Sequence, residues 1–273
     1  TMGLMSLPTL LKRGYSASEA SGMICATGTL GQIIPPSIAL VLLGDTLSSA
    51  YQQAQLNMGI FAPKTVSVGD LFVGAIVPGL MLVCLYCLYL LLMVKPQRAT
   101  ITLDEAFNTR LRRAFKNLLP PILLIFAVLG SILTGAATPT EAAGVGAFGA
   151  ILLAMIKGQL DWQNLRAAVQ STTQVTSMVF MILIGAAIFS LVFRGFGGEQ
   201  RVAEFFQQMP GGLFGATLLV MVVIFVLGFI LDLIEITFVV VPIVAPILLA
   251  MGLDPIWLGV MIAINLQTSF LTP

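Results

Sequence analysis

Apolar residues run through this chain in long blocks, and the polar ones gather between them. A helix that spans a bilayer core about 30 Å thick needs roughly 20 apolar residues, and the blocks meet that length repeatedly. They predict helix I over about 20–43, helix II over 70–94, helix III over 118–134, helix IV over 139–156 and helix V over 172–193. A charged amphipathic connector, RGFGGEQRVAEFFQQMPGG, follows. Next comes an apolar stretch, 213–251, interrupted by Asp232 and Glu235, and then a last element over about 255–272 that contains NLQTSFLTP. Helix IV has a readable start. Thr138-Pro139-Thr140-Glu141 puts Thr138 at the N-cap, proline in the first turn and Glu141 three residues past the cap, which is the spacing of a capping box. That spacing predicts a capping role for Glu141.

Composition agrees with a membrane-embedded chain. Of 273 residues, 58% are hydrophobic and 9% charged, and the mean hydropathy is +1.02. A soluble domain carries about 25% charged residues, so this surface is made for lipid. The net charge of +1 points to neither nucleic acid nor an acidic partner. There is no histidine, which removes the commonest general base and metal ligand and argues against an enzyme. Cys25, Cys84 and Cys87 lie inside apolar runs and read as small buried side chains. The pattern opens in mid-element at Thr1 and closes at Pro273 just after an apolar run, so a piece of a longer protein is expected.

Basic residues orient the spans, because cytoplasmic loops are rich in Lys and Arg. Lys95, Arg98, Arg110, Arg112, Arg113 and Lys116 form the densest cluster and place that connector in the cytoplasm. Lys12, Arg13, Lys157 and Arg166 then fall on the same side. The segment 135–138 has no basic residue and 44–69 has only Lys64, as outer loops should. Arg194 and Arg201 are exceptions, accompanied by acidic residues.

A weak repeat joins the two ends. LPTLLKRG at 7–14 faces APILLAMG at 245–252, matching Pro8 with Pro246 and Gly14 with Gly252; after a one-residue slip, Gly22 faces Gly259. Residues 24–36 then face 261–273, both apolar helices broken by a polar, Gly- or Thr-bearing stretch ending in proline. If 213–251 enters and returns as a re-entrant hairpin, the four intervening spans leave the last helix antiparallel to helix I, an inverted repeat. If 213–231 crosses fully, the two helices are parallel. Acidic groups at Asp232 and Glu235 favour the hairpin, since charge at that depth must face protein or a polar cavity. Three divisions follow: 1–44, the end of a first hairpin and a broken helix; 45–116, an outer loop, helix II and the basic connector; and 117–273, the C-terminal repeat. Inverted repeats with broken helices are the layout of secondary carriers. Gly28 and Gly31 permit unusual backbone angles and Pro35-Pro36 interrupt the helix ladder. Carbonyls freed at a break, with Thr and Asn oxygens, suit a hard cation such as Na⁺, and helix N-termini suit a carboxylate.

The stretches GTLGQIIPPSIALVLLGD, VGDLFVGAIVPGLML, ATPTEAAGVGA and NLQTSFLTP resemble the large membrane subunit, of the DctM type, of tripartite ATP-independent periplasmic (TRAP) transporters. GFILDLIEITFVVVPIVAPIL and MVFMILIGAAIFSLVFRGFGG are most similar to the branch named for mannitol and chloroaromatic compounds. The resemblance implies an elevator-type carrier in the bacterial inner membrane, driven by Na⁺ and with no other cofactor. It implies two partners, a small membrane subunit of the DctQ type and a periplasmic binding protein of the DctP type that delivers an organic acid. It places one Na⁺ or substrate site at Gly28, Thr29 and Gly31, and its repeat mate at Asp232, Thr237, Asn265, Thr268 and Thr272. Where the family often has glycine late in the last motif, this chain has Thr268-Ser269. A divalent-anion/Na⁺ symporter that works without a binding protein is the competing reading.

Overall fold

The computed structural model describes residues 2–93 and 107–270, and every regular element among them is helical. Helix II is found as α4 (Val68–Met93) and helix IV as α6 (Pro139–Ile156), which sets the scale for the numbering that follows. At the N-terminal end, α1 (Met2–Lys12) precedes α2 (Ala17–Thr29). The predicted interruption of helix I is present: α2 passes into a 3-10 turn at Leu30–Gln32, and α3 (Ile38–Asn57) begins after the prolines. The Pro35–Pro36 peptide bond is cis. Ser37 restarts the helix, its Oγ accepting from Leu40 N at 3.3 Å.

Several helices are longer than their apolar blocks. The predicted outer loop is helical as far as Asn57, because α3 turns amphipathic rather than ending. Leu43, Leu47, Ala50 and Ala54 stay buried on one side, while Asp45, Ser49, Gln53 and Asn57 recur every four residues on another. Four-residue spacing keeps side chains on one helix face, which a hydropathy window averages away. The chain that follows is fastened by a buried amide: Gln55 Oε1 accepts from Lys64 N at 2.9 Å and its Nε2 donates to Lys64 O at 3.0 Å. Next, α5 (Phe107–Leu133) starts before 118 and continues through Pro120 and Pro121. Likewise α7 (Trp162–Gly195) starts at Trp162 rather than 172, since Asp161 Oδ1 accepts from Asn164 N at 2.6 Å and caps it there.

The remaining elements are the short amphipathic α8 (Gly198–Gln207), α9 (Gly212–Leu227), a single turn α10 (Leu233–Glu235), a π-helical turn at Ile236–Val240, α11 (Val241–Ala250) and α12 (Pro255–Ser269). Gly14 and Gly252, which the sequence pairs, end their helices in the same way, as Gly59 and Gly158 also do. Gly14 ends α1 with φ 87°, and Gly252 ends α11 with φ 100°. At the first, Gly14 N donates to Leu11 O and Tyr15 N to Leu10 O; at the second, Gly252 N donates to Leu249 O and Leu253 N to Leu248 O. Both are left-handed glycine caps of the Schellman kind. Two residues later Ser16 caps α2 and Asp254 caps α12, each through its side chain. Pro8 and Pro246 lie inside the corresponding helices.

The chain divides into two compact units, Thr1–Pro36 with Ile76–Leu160, and Ser37–Ala75 with Asp161–Pro273. In the first, α1 packs on α2 and α5 on α6. A Cβ at Gly149 would collide with Leu124, so the absence of a side chain sets that helix spacing. The most apolar window of α5 has no buried residue at all. Leu124 and Val128 turn toward α6, while Phe115, Leu123 and Phe126 are exposed.

In the second unit α3 packs against both α11 and α12, and α12 against α9. Leu40, Leu43, Leu47, Leu71, Phe72, Ile224, Leu248, Leu258, Ile262 and Leu266 are fully buried there or nearly so. Glycines again allow close approach: a Cβ on Gly259 would come within 2.6 Å of Leu71 Cδ2 and 2.7 Å of Leu47 Cδ1.

The capping box at α6 is formed as its spacing predicts. Glu141 N donates to Thr138 Oγ1 at 3.3 Å, and Thr138 N donates to Glu141 Oε2 at 2.8 Å. Removing such a cap costs about 1 kcal/mol. Thr138→Ala is therefore expected to lower the melting temperature of the purified protein in detergent, whereas Thr138→Ser, which keeps the oxygen, should leave it nearly unchanged. Equal melting of Thr138→Ala and wild type would show that the box carries no stability.

Candidate functional site

The apolar stretch at 213–251 folds as two helical arms joined by a short tip. The first arm, α9, stops at Gly228, and Phe229, Ile230 and Leu231 close the tip by donating to carbonyls at Val226 and Leu227. Asp232 then has extended backbone angles, φ −75° and ψ 162°, and starts the second arm. Its Oδ1 accepts from Leu233 N at 2.7 Å, and its own N–H donates to Glu235 Oε2 at 3.3 Å. The acidic pair midway along the apolar stretch is thus a capping box, Asp-x-x-Glu, built like the Thr-x-x-Glu of α6. That spacing was present in the sequence and explains both carboxylates through the backbone they satisfy.

The second arm continues through the π-helical turn, where Val241 N donates to Ile236 O, five residues back. Such turns recur at functional sites because they re-aim side chains. Thr237 lies in this turn, fully buried, and its Oγ1 has no hydrogen-bond partner. Threonines inside helices usually donate to the carbonyl four residues back. Thr46 and Thr217 do so here, at 2.9 Å to Leu42 O and 2.8 Å to Leu213 O, and Thr237 does not.

The C-terminal half of α12 is tied to α9. Asn265 Nδ2 donates to Met221 O at 2.6 Å, which leaves Oδ1 as its free polar end. Thr268, exposed, donates through Oγ1 to Asn265 O at 2.8 Å. Ser269 is buried and lies directly against Gly228, since a Cβ on Gly228 would overlap the Ser269 side chain. Between these sits Gln267, 1% exposed, with neither Oε1 nor Nε2 hydrogen-bonded.

The candidate residues divide between the units. Gly28 is helical in α2 and Gly31 lies in the 3-10 turn, and neither is among the glycines with positive φ. The unusual backbone angles expected of them are not adopted; the interruption is carried by the proline segment after Gln32. A Cβ at either position would meet nothing within 4 Å, so open space lies beside both. Thr29 Oγ1 donates to Ala26 O at 3.0 Å. These three belong to the first unit, and Asp232, Thr237, Asn265 and Thr268 to the second. Thr272 lies outside the described residues. Asn265 and Thr268 are linked to each other through the Asn265 carbonyl. Gln267 and the Gly228–Ser269 contact were missed, because only burial distinguishes that glutamine from the polar residues beside it.

Among the described residues no three of His, Cys, Asp or Glu converge on a metal-binding geometry.

Five helices among the described residues are long and apolar enough to cross a bilayer, Val68–Met93, Phe115–Leu133, Pro139–Ile156, Trp162–Gly195 and Leu233–Ala250. With the apolar arm at α9, they define a multi-pass α-helical membrane protein. The family model described as "Tripartite ATP-independent periplasmic transporter, DctM component" matches residues 1–273, and the chain belongs to that family. It is 28% identical to the C4-dicarboxylate TRAP transporter large permease protein DctM of Pseudomonas aeruginosa, over 100% of this chain and 60% of that protein. It is 26% identical to the sialic acid TRAP transporter large permease protein SiaM of Vibrio cholerae, with the same coverage. It is 27% identical to the DctM protein of Rhodobacter capsulatus, over 100% of this chain and 61% of that protein. The chain thus spans about 60% of the length of these relatives, and all three are named as transporter permeases.

The contact of Gly228 with Ser269 is open to a direct check. Adding a methyl group at Gly228 overpacks the seat of α12, at about 1–3 kcal/mol. Gly228→Ala should lower thermal stability in detergent, and Ser269→Gly in the same chain should restore most of the loss. Additive effects of the two substitutions would show that the residues do not touch.

Proposed function

We propose that this chain is the transport core of a TRAP large membrane subunit, which carries an organic acid inward by coupling it to Na⁺ entry. The observation that carries the reading is the family match over the full chain together with the matched arm ends, Gly14–Ser16 and Gly252–Asp254, whose caps share one hydrogen-bond pattern. Matched arms leading into a broken helix suit an inverted repeat, and the hairpin reading of 213–251 makes the two ends antiparallel. Inverted repeats place the solute between broken helices near the bilayer midplane, and an elevator-type motion of that core would carry it across. The polar groups at the helix interruptions, Gly28, Thr29 and Gly31 in one unit and Asp232, Thr237, Asn265, Thr268 and Thr272 in the other, are the proposed contacts for Na⁺ and substrate.

The setting is the bacterial inner membrane, with a small membrane subunit beside this one and a periplasmic binding protein supplying the acid. Relatives named for C4-dicarboxylates make a carboxylate the favoured substrate class. Likeness to the mannitol and chloroaromatic branch leaves room for a different organic acid, and the chain itself is read as the C-terminal part of the full subunit. The second reading, a symporter that needs no binding protein, shares the hairpin architecture and makes the opposite prediction about delivery.

Uptake into proteoliposomes decides between them. With the full-length complex, organic-acid uptake should require both an inward Na⁺ gradient and added binding protein. Equal uptake without the binding protein would sink the tripartite reading in favour of the symporter. Within the site, Asn265→Ala should raise the Na⁺ concentration for half-maximal uptake. An unchanged Na⁺ dependence would remove Asn265 from the ion contacts.

A further inference from the structure

The first unit contains a pair of grooves lined by none of the candidate Na⁺ or substrate residues. Near the helix interruption α4 lies close to the chain that follows α2. A Cβ on Gly79 would meet Ile34 Cγ1 at 3.5 Å and Ile33 Cγ2 at 4.0 Å. Farther along α4, toward Met93, a cavity of about 570 Å³ lies between that helix and α2. Gly22, Met23 and Ala26 wall one side, and Tyr86, Leu90 and Met93 the other. A Cβ on Gly22 would meet nothing within 4 Å. A second cavity, of about 440 Å³, reaches Leu10 of α1 and Ile24 of α2. Met23, Thr27 and Leu90 border both, so the two grooves run side by side along one ridge.

The ridge offers no free hydroxyl donor, because Thr27 Oγ1 donates to Met23 O of its own helix at 2.7 Å. Charge stands at one end. Arg13, just past α1, borders the second groove, and Glu19, in the first turn of α2, borders the first. The basic residues of the sequence put this end on the cytoplasmic side, where α4 finishes two residues before Lys95. Arg13 is exposed, and no side chain among the described residues pairs with it. Glu19 receives the Ser16 hydroxyl at 2.7 Å and the Ser16 N–H at 3.0 Å, both on Oε2, which leaves Oε1 open. Those two bonds, the hydroxyl's first, hold its carboxyl below the ordinary range. Tyr86 and Tyr89 add the residue type that collects at headgroup depth.

Two adjoining apolar grooves with a cation and a carboxylate at one end match a two-chain lipid with a zwitterionic head. A phosphate suits Arg13, but a purely anionic head would be opposed by Glu19. A quaternary ammonium balances that carboxylate without an N–H to give it, whereas a primary ammonium supplies both charge and donor. We propose that these grooves hold phosphatidylethanolamine of the cytoplasmic leaflet, its chains on either side of the Met23–Thr27 ridge. Its phosphate lies on Arg13 and its ammonium on Glu19 Oε1. The lipid fills the wedge between α4 and α2 beside the helix interruption. It does so whatever solute the carrier moves, so its presence is read without any transport.

The test is lipid retention by the full-length complex with its small subunit, stripped in excess detergent and read by native mass spectrometry. Phosphatidylethanolamine, phosphatidylcholine and phosphatidylglycerol with the same acyl chains are added back separately. The wild type should retain phosphatidylethanolamine about tenfold better than the other two, the size of one charge-assisted hydrogen bond. A phosphatidylethanolamine with a photoreactive acyl chain should label α2 or α4. Glu19→Gln keeps a side chain able to close the capping box but not the charge, so it should retain the ethanolamine and choline lipids alike. Arg13→Gln should weaken retention of both. Gly22→Phe puts a ring into the first groove and should abolish retention, while the melting temperature of the stripped complex stays that of wild type. Equal retention of the three lipids by the wild type, or of none, overturns the site, as does labelling that misses both helices. An undiminished preference in Glu19→Gln, or full retention in Gly22→Phe, overturns it too. If the variants do not fold, the three-lipid comparison and the labelling of the wild type decide by themselves.

Discussion

Inside a bilayer a backbone N–H or C=O has no water to turn to, and each one left unpaired costs several kcal/mol. A chain of helices satisfies most of them internally, so the demand concentrates at helix ends and at interruptions. In this protein those points are occupied one after another by short polar side chains. Ser16, Ser37, Thr138, Asp161, Asp232 and Asp254 each accept from an N–H in the first turn of the helix they begin. Left-handed glycines at Gly14 and Gly252 close the opposite ends. Polar residues in the apolar stretches serve the backbone first, and the tip between α9 and α11 exists because Asp232 and Glu235 let a helix restart there.

That ordering also decides what could be read beforehand. The class of the fold was legible because it depends on long apolar blocks, and α6 was legible to the residue because Thr138, Pro139 and Glu141 state its start. The starts of α5 and α7 were hidden by hydropathy, which drops where a helix leaves the apolar layer even though the helix goes on. For α7 the signal existed at Asp161, a capping residue before Trp162. The extension of α3 to Asn57 was hidden for a different reason. Its outer half is amphipathic, buried at Leu47, Ala50 and Ala54 and polar every four residues, a pattern of period rather than of mean hydropathy.

The site was less legible than the fold. Asp232 reads in the sequence as a charge at depth, and the structure gives it a backbone task as the cap of the second arm. Gly28 and Gly31 drew attention as flexible backbone, and both turn out to have ordinary helical angles beside open space. Gln267 drew none, because an uncharged amide next to Asn265 and Thr268 has no distinctive spacing. Its distinction is negative, an absence of partners within a packed interior, and only three-dimensional packing reveals it.

The residues paired between the two ends of the chain show the same division. Between 7–14 and 245–252, and between 24–36 and 261–273, few side chains agree, yet Gly14 and Gly252 both end a helix and Ser16 and Asp254 both cap the next. Side chains that face lipid need only be apolar, so they drift, whereas a left-handed cap admits glycine and a helix start admits a short acceptor. Similarity therefore survives at the ends of elements and fades along their length. Polar groups then fall into two sets: those bound to backbone, which define where helices stop and start, and those bound to nothing. The first set is architecture. Among the described residues of the second unit, the buried members of the second set are Thr237 and Gln267.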